Sequence, residues 1–126
     1  MKTILVDAAG TFTVDGVVDQ KLYKLLETYQ NKKIILTNAN DEQFVTYGLV
    51  NLPYELFTLK HNPDKVDPIY FQKMLESYNL NAKNCIYLEH SPEAVKSAES
   101  VGIKSYCFDE EKRDLGALKE FLDSNL

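Results

Sequence analysis

The sequence is short of positive charge. Its 14 lysine and arginine residues face 19 aspartate and glutamate residues, which gives a net charge of -5. The basic residues form no cluster, which argues against a nucleic-acid partner and against an anionic membrane surface. No apolar run approaches the length of a transmembrane helix, and Met1-Lys2-Thr3 leads into a short apolar run without the features of a signal peptide. These absences predict a soluble, cytoplasmic protein.

Cysteine is scarce too, with two residues in the chain. Cys85 and Cys107 both lie in apolar runs that are typical of strands, so we expect buried, reduced thiols. Repeats, low-complexity segments and linkers are absent. A chain of 126 residues, 44% of them hydrophobic, is long enough for one core. We therefore expect a single domain over residues 1–126.

The sequence does contain an alternation of short apolar runs with helical patterns. The runs show no polar alternation, which is typical of parallel strands covered on both faces; they span residues 4–6, 34–36, 56–59, 85–88 and 103–108. Apolar residues recur at helical spacing in four other segments: Leu22, Leu25, Leu26 and Tyr29; Phe71, Met74, Leu75 and Tyr78; Val95, Ala98 and Val101; and Leu115, Leu118 and Leu122. The alternation predicts an α/β fold, namely one three-layer, doubly wound domain with a five-stranded parallel sheet.

Polar residues follow these runs at the points where the strands should end. Asp7 follows the first run, Thr37 and Asn38 follow the second, and Glu89 follows the fourth, while Lys65 precedes the second of the helical segments. The carboxyl ends of parallel strands meet at one edge of a sheet, where ligands bind in this class of fold. We therefore expect these side chains to converge there.

These residue types suit phosphoryl chemistry. The hydroxyls of Thr11 and Thr37 and the amide of Asn38 can form hydrogen bonds with a phosphate group. A lysine such as Lys65 would offset the repulsion between the Asp7 carboxylate and an anionic substrate. The reaction class that fits is covalent catalysis through an aspartyl ester.

Structural roles remain open for the same residues. Asp7 could have a purely structural role, either as the cap of its local turn or as the ion-pair partner of Lys65. Thr37 and Asn38 could cap the next helix, and capping is compatible with ligand binding, so we expect both roles. Lys60 is a rival for the position of Lys65.

The motifs together resemble those of the haloacid dehalogenase (HAD) superfamily, in the same order along the chain. Asp7-Ala8-Ala9-Gly10-Thr11 resembles the D-x-D-G-T motif, with Asp7 at the nucleophile position. Residues 34–38 resemble the second motif, and residues 65–71 are similar to the K-P-D-P-x-x-F stretch with its catalytic lysine, which favours Lys65 over Lys60. Residues 86–94 resemble the fourth motif. The resemblance covers the whole chain and implies a HAD-like, Rossmann-like hydrolase domain of the phosphatase type.

The chain departs from the family pattern at two positions. Ala9 replaces the second aspartate, which acts as general acid and base in most family phosphatases. His90 replaces an aspartate that normally contacts Mg²⁺, and imidazole is a poor ligand for that ion. Asp7, the Ala9 carbonyl and Glu89 are the oxygen ligands left, so we expect Mg²⁺ to bind weakly or not at all. A protonated His90 could replace part of the metal's charge.

The spacing of the motifs predicts that no cap domain is present. Phosphonoacetaldehyde hydrolases share the D-x-A-G-T pattern but use a lysine from an inserted cap. The intervals from Asp7 to Thr37 and from Thr37 to Lys65 are too short for such an insertion. An open site would admit a phosphorylated small molecule or macromolecule, unless a second subunit of a homo-oligomer covers it.

Two functions follow from these motifs. The first is a weak hydrolase that acts through an aspartyl nucleophile, with Asp7 and Lys65 as its catalytic residues. The alternative is a catalytically inactive relative that binds a phosphorylated ligand or a protein partner. Asp7, Thr37 and Lys65 favour the first function, whereas Ala9 and His90 favour the second. We interpret His61 as a surface loop residue.

Overall fold

The computed structural model describes the whole chain from Met1 to Leu126 and confirms the α/β architecture. Its main sheet has five strands in the order β5-β4-β1-β6-β7, and every neighbouring pair is parallel. The strands are β1 (Thr3–Asp7), β4 (Lys33–Thr37), β5 (Glu55–Thr58), β6 (Cys85–Glu89) and β7 (Lys104–Cys107), while β2 (Thr13–Val14) and β3 (Val17–Val18) form a separate antiparallel hairpin. The strand order changes direction at β1, where a binding crevice is expected in such sheets.

Five α-helices accompany the sheet, and a short 3-10 helix precedes β6. The helices are α1 (Gln20–Glu27), α2 (Asp41–Thr46), α3 (Ile69–Ser77), α4 (Pro92–Ser100) and α5 (Leu115–Asn125), and the 3-10 helix is Ala82–Asn84. Leu22 of α1 and Leu118 of α5 pack with Ile4 and Val6 on one face of the sheet. Phe71 and Met74 of α3 and Ala98 of α4 pack on the other face, against residues such as Leu5. The side chains of β1 alternate between the two cores, which gives the predicted three layers.

The sequence does not predict two short elements of the structure. The β2-β3 hairpin has two residues per strand, which is too short for an alternating pattern. Helix α2 has no buried residue and therefore no apolar stripe; it begins with a capping box between Asn40 and Gln43. The expectation that Thr37 and Asn38 cap this helix is wrong, because Asn40 takes that position.

The prediction for the cysteines is half right. Cys85 lies in β6, in the middle of the sheet, and is buried. Cys107 ends the edge strand β7 and is exposed. An apolar run at a sheet edge lacks the neighbouring strand that would cover it, and the sequence does not reveal which run lies there.

The intervals between strands are short, as the sequence implies. The β2-β3 hairpin and α1 occupy the interval from β1 to β4, and α2 and β5 occupy the interval from Thr37 to Lys65. No cap domain is inserted in either interval. None of the helices is long and apolar enough to cross a lipid bilayer.

Candidate active site

The polar residues at the strand ends converge at one edge of the sheet. Asp7, Thr37 and Glu89 are the last residues of β1, β4 and β6, which are adjacent strands. Lys65 lies in the loop between β5 and α3 and extends over the same edge. The exposed fractions of Asp7, Lys65 and Glu89 are only 5%, 4% and 1%, so three ionisable groups are buried together.

The Asp7 carboxylate is held from two sides. Its Oδ1 accepts a hydrogen bond from the Lys65 ammonium at 2.6 Å. Its Oδ2 accepts from the Thr11 hydroxyl at 2.8 Å and lies 2.6 Å from Nδ1 of His90. A carboxylate oxygen has about two lone-pair sites. Oδ2 therefore has two hydrogen-bond partners, whereas Oδ1 has one, Lys65.

Glu89 forms the second anionic centre. Its Oε1 accepts from Lys65 at 3.0 Å and from the Tyr87 hydroxyl. Its Oε2 accepts from the backbone N–H groups of His90 and Ser91, both at 3.1 Å, and lies 3.3 Å from Nδ1 of His90. The His90 imidazole thus bridges the two carboxylates. The donor atoms of Asp7, Glu89 and His90 all lie within 4.8 Å of one another, which is a spacing that could hold a metal ion.

The positive charges of Lys65 and His90 balance the negative charges of Asp7 and Glu89. Burial disfavours charge on Glu89, but Lys65 and the surrounding hydrogen bonds outweigh it and hold the pKa of Glu89 well below its usual range. Burial likewise disfavours charge on Lys65, yet Asp7 and Glu89 raise its pKa above the ordinary value. Burial raises the pKa of Asp7, with Lys65 acting in the opposite direction. The hydrogen bonds to Asp7 and Glu89 raise the pKa of His90 from 6.5 to about 10, so the imidazole is a cation at neutral pH.

The loop after β1 brings His90 and Asp7 together. Gly10 has a φ of +93°, and a Cβ atom there would lie 2.6 Å from Cε1 of His90. The ring therefore packs directly over the glycine backbone. Arg113 holds this loop from outside: it donates to the carbonyl oxygens of Gly10 and Thr11 and forms an ion pair with Asp19 at 2.9 Å.

The residues after β4 differ in what they offer a ligand. The Thr37 hydroxyl accepts from the Ala39 N–H at 3.1 Å and donates to no protein acceptor, so its proton is free. The Asn38 side chain contacts the protein at both ends: its oxygen accepts from the Lys65 N–H at 2.8 Å, and one of its two amide N–H groups donates to Asp64 at 3.0 Å. Asn38 thus fixes the loop that carries Lys65.

The surroundings of His61 and Thr11 differ from those that the sequence led us to expect. His61 is an exposed loop residue, as expected, but it contacts Asp64 at 3.1 Å and Gln43 at 2.8 Å. Thr11 is completely buried, and its hydroxyl faces Asp7. We therefore assign Thr11 to the positioning of Asp7 rather than to direct contact with a ligand. The rival lysine, Lys60, pairs with Asp41 on the surface and does not approach Asp7.

A cavity of about 300 Å³ opens above these groups. Asp7, Ala9, Thr37, Lys65 and His90 contribute to its wall. His61 and Asp64 also line the cavity. This volume is at the lower end of the range for small-molecule sites.

Sequence reasoning missed three residues that shape the site. Tyr87 could have been found, because it lies two positions before Glu89 on a strand and so faces the same side of the sheet. Asp64 could have been found as the immediate neighbour of Lys65. Arg113 carries no such signal, since it lies about a hundred residues from the loop that it holds.

Comparison with known proteins finds solved structures that share this fold. No family model matches the chain, and no curated protein matches its sequence. Among solved structures, a predicted HAD-like family hydrolase from Porphyromonas gingivalis is similar, with a TM-score of 0.72 and 12% identity over 97% of this chain and 98% of that one. A HAD family enzyme from Bacteroides thetaiotaomicron, solved as an aspartate-to-alanine variant with magnesium and inorganic phosphate, gives a TM-score of 0.67 and 14% identity over 87% of this chain and 95% of that one.

A HAD-superfamily hydrolase from Geobacter sulfurreducens is similar as well, with a TM-score of 0.67 and 12% identity over 83% of this chain and 88% of that one. The chain spans most of the length of each of these proteins. The fold is therefore that of the HAD-like hydrolases, as the motifs implied.

The contact between Gly10 and His90 gives a first prediction. Gly10→Ala should lower the free energy of unfolding by about 3 kcal/mol, because a positive φ is strained for alanine and the methyl group displaces the His90 ring. Gly102→Ala is the matched control: Gly102 also has a φ of +93°, but its nearest contact would be a side-chain methyl at 3.6 Å. It should cost only about 1–2 kcal/mol. If urea unfolding shows that Gly10→Ala and Gly102→Ala lower the free energy of unfolding equally, the His90 ring does not press on Gly10.

The charge of His90 gives a second prediction. Its pKa is about 10 in the folded protein and 6.5 without these contacts, so the folded state binds the extra proton between these values. The stability from this proton is complete below pH 6.5 and disappears as the pH rises through 10. The NMR signal of the His90 ring, assigned by its loss in His90→Asn, should stay constant from neutral to mildly alkaline pH. A midpoint near the ordinary histidine value would contradict the bridging geometry.

Proposed function

We propose that the chain is a phosphatase-type hydrolase domain that uses Asp7 as its nucleophile and His90 as a built-in cation in place of a metal. The observation that carries this proposal is the position of the His90 imidazole, 2.6 Å from Oδ2 of Asp7 and 3.3 Å from Oε2 of Glu89. One cation between two carboxylates is the arrangement that a metal ion would otherwise provide. Oδ1 of Asp7, which accepts one hydrogen bond, from Lys65, would be the attacking atom.

The other groups of the cavity have roles that suit a phosphoryl group. Lys65 has three N–H donors, and two of them are used by Asp7 and Glu89. The third donor and the free proton of Thr37 could bind phosphoryl oxygens. The cavity of about 300 Å³ suits a small phosphorylated molecule, and its open side would also admit a phosphorylated group on a macromolecule.

The residues do not fit a magnesium ion. Mg²⁺ requires near-octahedral coordination by oxygen atoms at about 2.0–2.1 Å. Both oxygens of Glu89 and Oδ2 of Asp7 already accept their hydrogen bonds from the protein. His90 adds a positive charge at the same place, which would repel the ion. The magnesium reported with the Bacteroides protein therefore has no equivalent in our proposal.

The second candidate function is binding of a phosphorylated ligand without turnover. Ala9 favours it, because this position offers a methyl group to the cavity where an acid or base would act. A missing acid/base group typically lowers the rate by about 10²–10⁴-fold. The two functions differ in one measurable property, namely whether product forms in an Asp7-dependent reaction.

The test measures whether the purified full chain hydrolyses p-nitrophenyl phosphate. Phosphonoacetaldehyde serves as a second substrate in a separate assay. We expect slow release of nitrophenol that is unchanged by EDTA, Mg²⁺, Mn²⁺ or Co²⁺, because the cation at the site is His90. Asp7→Asn should abolish it while leaving a folded protein. Binding of inorganic phosphate without any Asp7-dependent product would favour the second candidate.

Two variants at one position test the role of His90. His90→Asp restores an oxygen ligand, so its hydrolysis should become dependent on Mg²⁺. His90→Asn is the matched control, since it removes the imidazole without adding a carboxylate, and Mg²⁺ should not restore its activity. If the wild type already requires Mg²⁺, the proposal of a metal-independent site is wrong.

A further inference from the structure

We propose that Arg113 is a positioning residue for the hydrolysis reaction. Its guanidinium group holds the loop after β1, and through that loop it fixes the direction of the Asp7 carboxylate. The proposal rests on the proposed function, because the direction of Asp7 matters for activity only if this residue attacks a substrate. It goes further by naming a residue that lies outside the cavity and acts through the loop.

The loop after β1 leaves two of its carbonyl groups to Arg113. Backbone N–H groups of the loop donate to the carbonyl oxygens of Asp7 and Ala8. No backbone N–H donates to the carbonyl oxygens of Gly10 and Thr11. The Arg113 guanidinium donates to both, with a distance of 3.0 Å from its Nη1 atom to the oxygen of Gly10. Without this side chain neither carbonyl would have a hydrogen-bond donor within the protein, and buried backbone groups rarely lack one.

The two residues that Arg113 holds both support the groups around Oδ2 of Asp7. The Thr11 hydroxyl donates to this oxygen at 2.8 Å. The His90 ring packs on the backbone of Gly10, and its Nδ1 atom lies 2.6 Å from the same oxygen. Because a carboxylate is planar, the contacts at Oδ2 also set the direction in which Oδ1 points. A shift of the loop would therefore turn the attacking oxygen away from its line to the phosphorus atom.

Arg113 is itself held by regular elements of the fold. Its Nε and Nη2 atoms lie 3.0 and 2.9 Å from Oδ2 of Asp19, whose other carboxylate oxygen caps the first turn of α1. The central carbon of the guanidinium lies 4.9 Å from the ring centroid of Phe108, the buried residue that follows β7. The guanidinium thus joins the start of α1 and the end of β7 to the loop after β1. Its planar fork of N–H donors serves these acceptors at once, which the compact ammonium group of a lysine does not.

The groups that would bind the phosphoryl group lie on other elements. Thr37 ends β4, Lys65 lies in the loop before α3, and Arg113 contacts neither of them. Loss of Arg113 should therefore leave the binding of phosphate intact and misalign only the attack. A change that acts on the transition state alone lowers kcat/KM without weakening ground-state binding. A misplacement of about 1 Å can lower the rate by about 10²-fold.

The experiment measures hydrolysis of p-nitrophenyl phosphate by the full chain, with inorganic phosphate as a competitive inhibitor. We expect Arg113→Ala to lower kcat/KM by about 10²-fold and to leave the inhibition constant of phosphate unchanged. Lys112→Ala is the matched control, because it removes the same charge from an exposed neighbouring position, and it should keep the wild-type kcat/KM. Methylguanidinium should restore part of the activity of Arg113→Ala, whereas methylammonium, which has the same charge, should not.

A second variant decides the proposal if Arg113→Ala does not fold. Arg113→Lys keeps the charge and most of the aliphatic stem. Its kcat/KM should also fall, because an ammonium group does not serve Asp19 and both carbonyl oxygens together. A wild-type kcat/KM in Arg113→Lys would contradict the proposal.

The outcomes separate this proposal from the function on which it rests. Asp7-dependent hydrolysis that is unchanged in Arg113→Ala would overturn the positioning role and leave the proposed function intact. An equal loss of kcat/KM and of phosphate affinity, without rescue by methylguanidinium, would show that Arg113 only stabilises the fold, which also overturns the positioning role. If no product of the wild type depends on Asp7, the proposed function fails, and the positioning role fails with it.

Discussion

The Asp7 carboxylate lies in the interior of the protein between two cations, Lys65 on Oδ1 and His90 on Oδ2. A buried carboxylate is costly unless it is paired, and the same holds for a buried ammonium group. Glu89 completes the balance by accepting from Lys65 and lying beside His90. Each charge contacts both charges of opposite sign, so the removal of any one would leave the other three unbalanced.

The fold supplies each member of this cluster from a different element. Adjacent parallel strands end at Asp7 and Glu89, so the two carboxylates meet because of the sheet and not because of any local motif. Asn38 fixes the backbone of Lys65, and Gly10 leaves room for the His90 ring. The phosphoryl chemistry that we propose uses Oδ1 of Asp7 and the protons of Lys65 and Thr37 that the cluster leaves free.

The sequence predicts the parts of the site that depend on topology. Asp7, Thr37 and Glu89 end apolar runs, and parallel strands that alternate with helices bring such ends together. It does not predict contacts that depend on side-chain direction. The sequence does not reveal that Asn38 contacts Lys65 and Asp64, and Cys107 was expected to be buried, yet it ends an edge strand. His90 was recognised as a replacement for a metal ligand, but its position between two carboxylates required the structure.

The central claim is that His90 occupies the place of a metal ion. The most direct test is a crystal structure of the wild type grown in a high concentration of Mn²⁺, with anomalous diffraction data that locate the ion. The account predicts no anomalous peak between Asp7 and Glu89, and an Nδ1 atom of His90 within hydrogen-bond distance of Oδ2 of Asp7. A manganese peak coordinated by both carboxylates, with the His90 ring turned away, would contradict it.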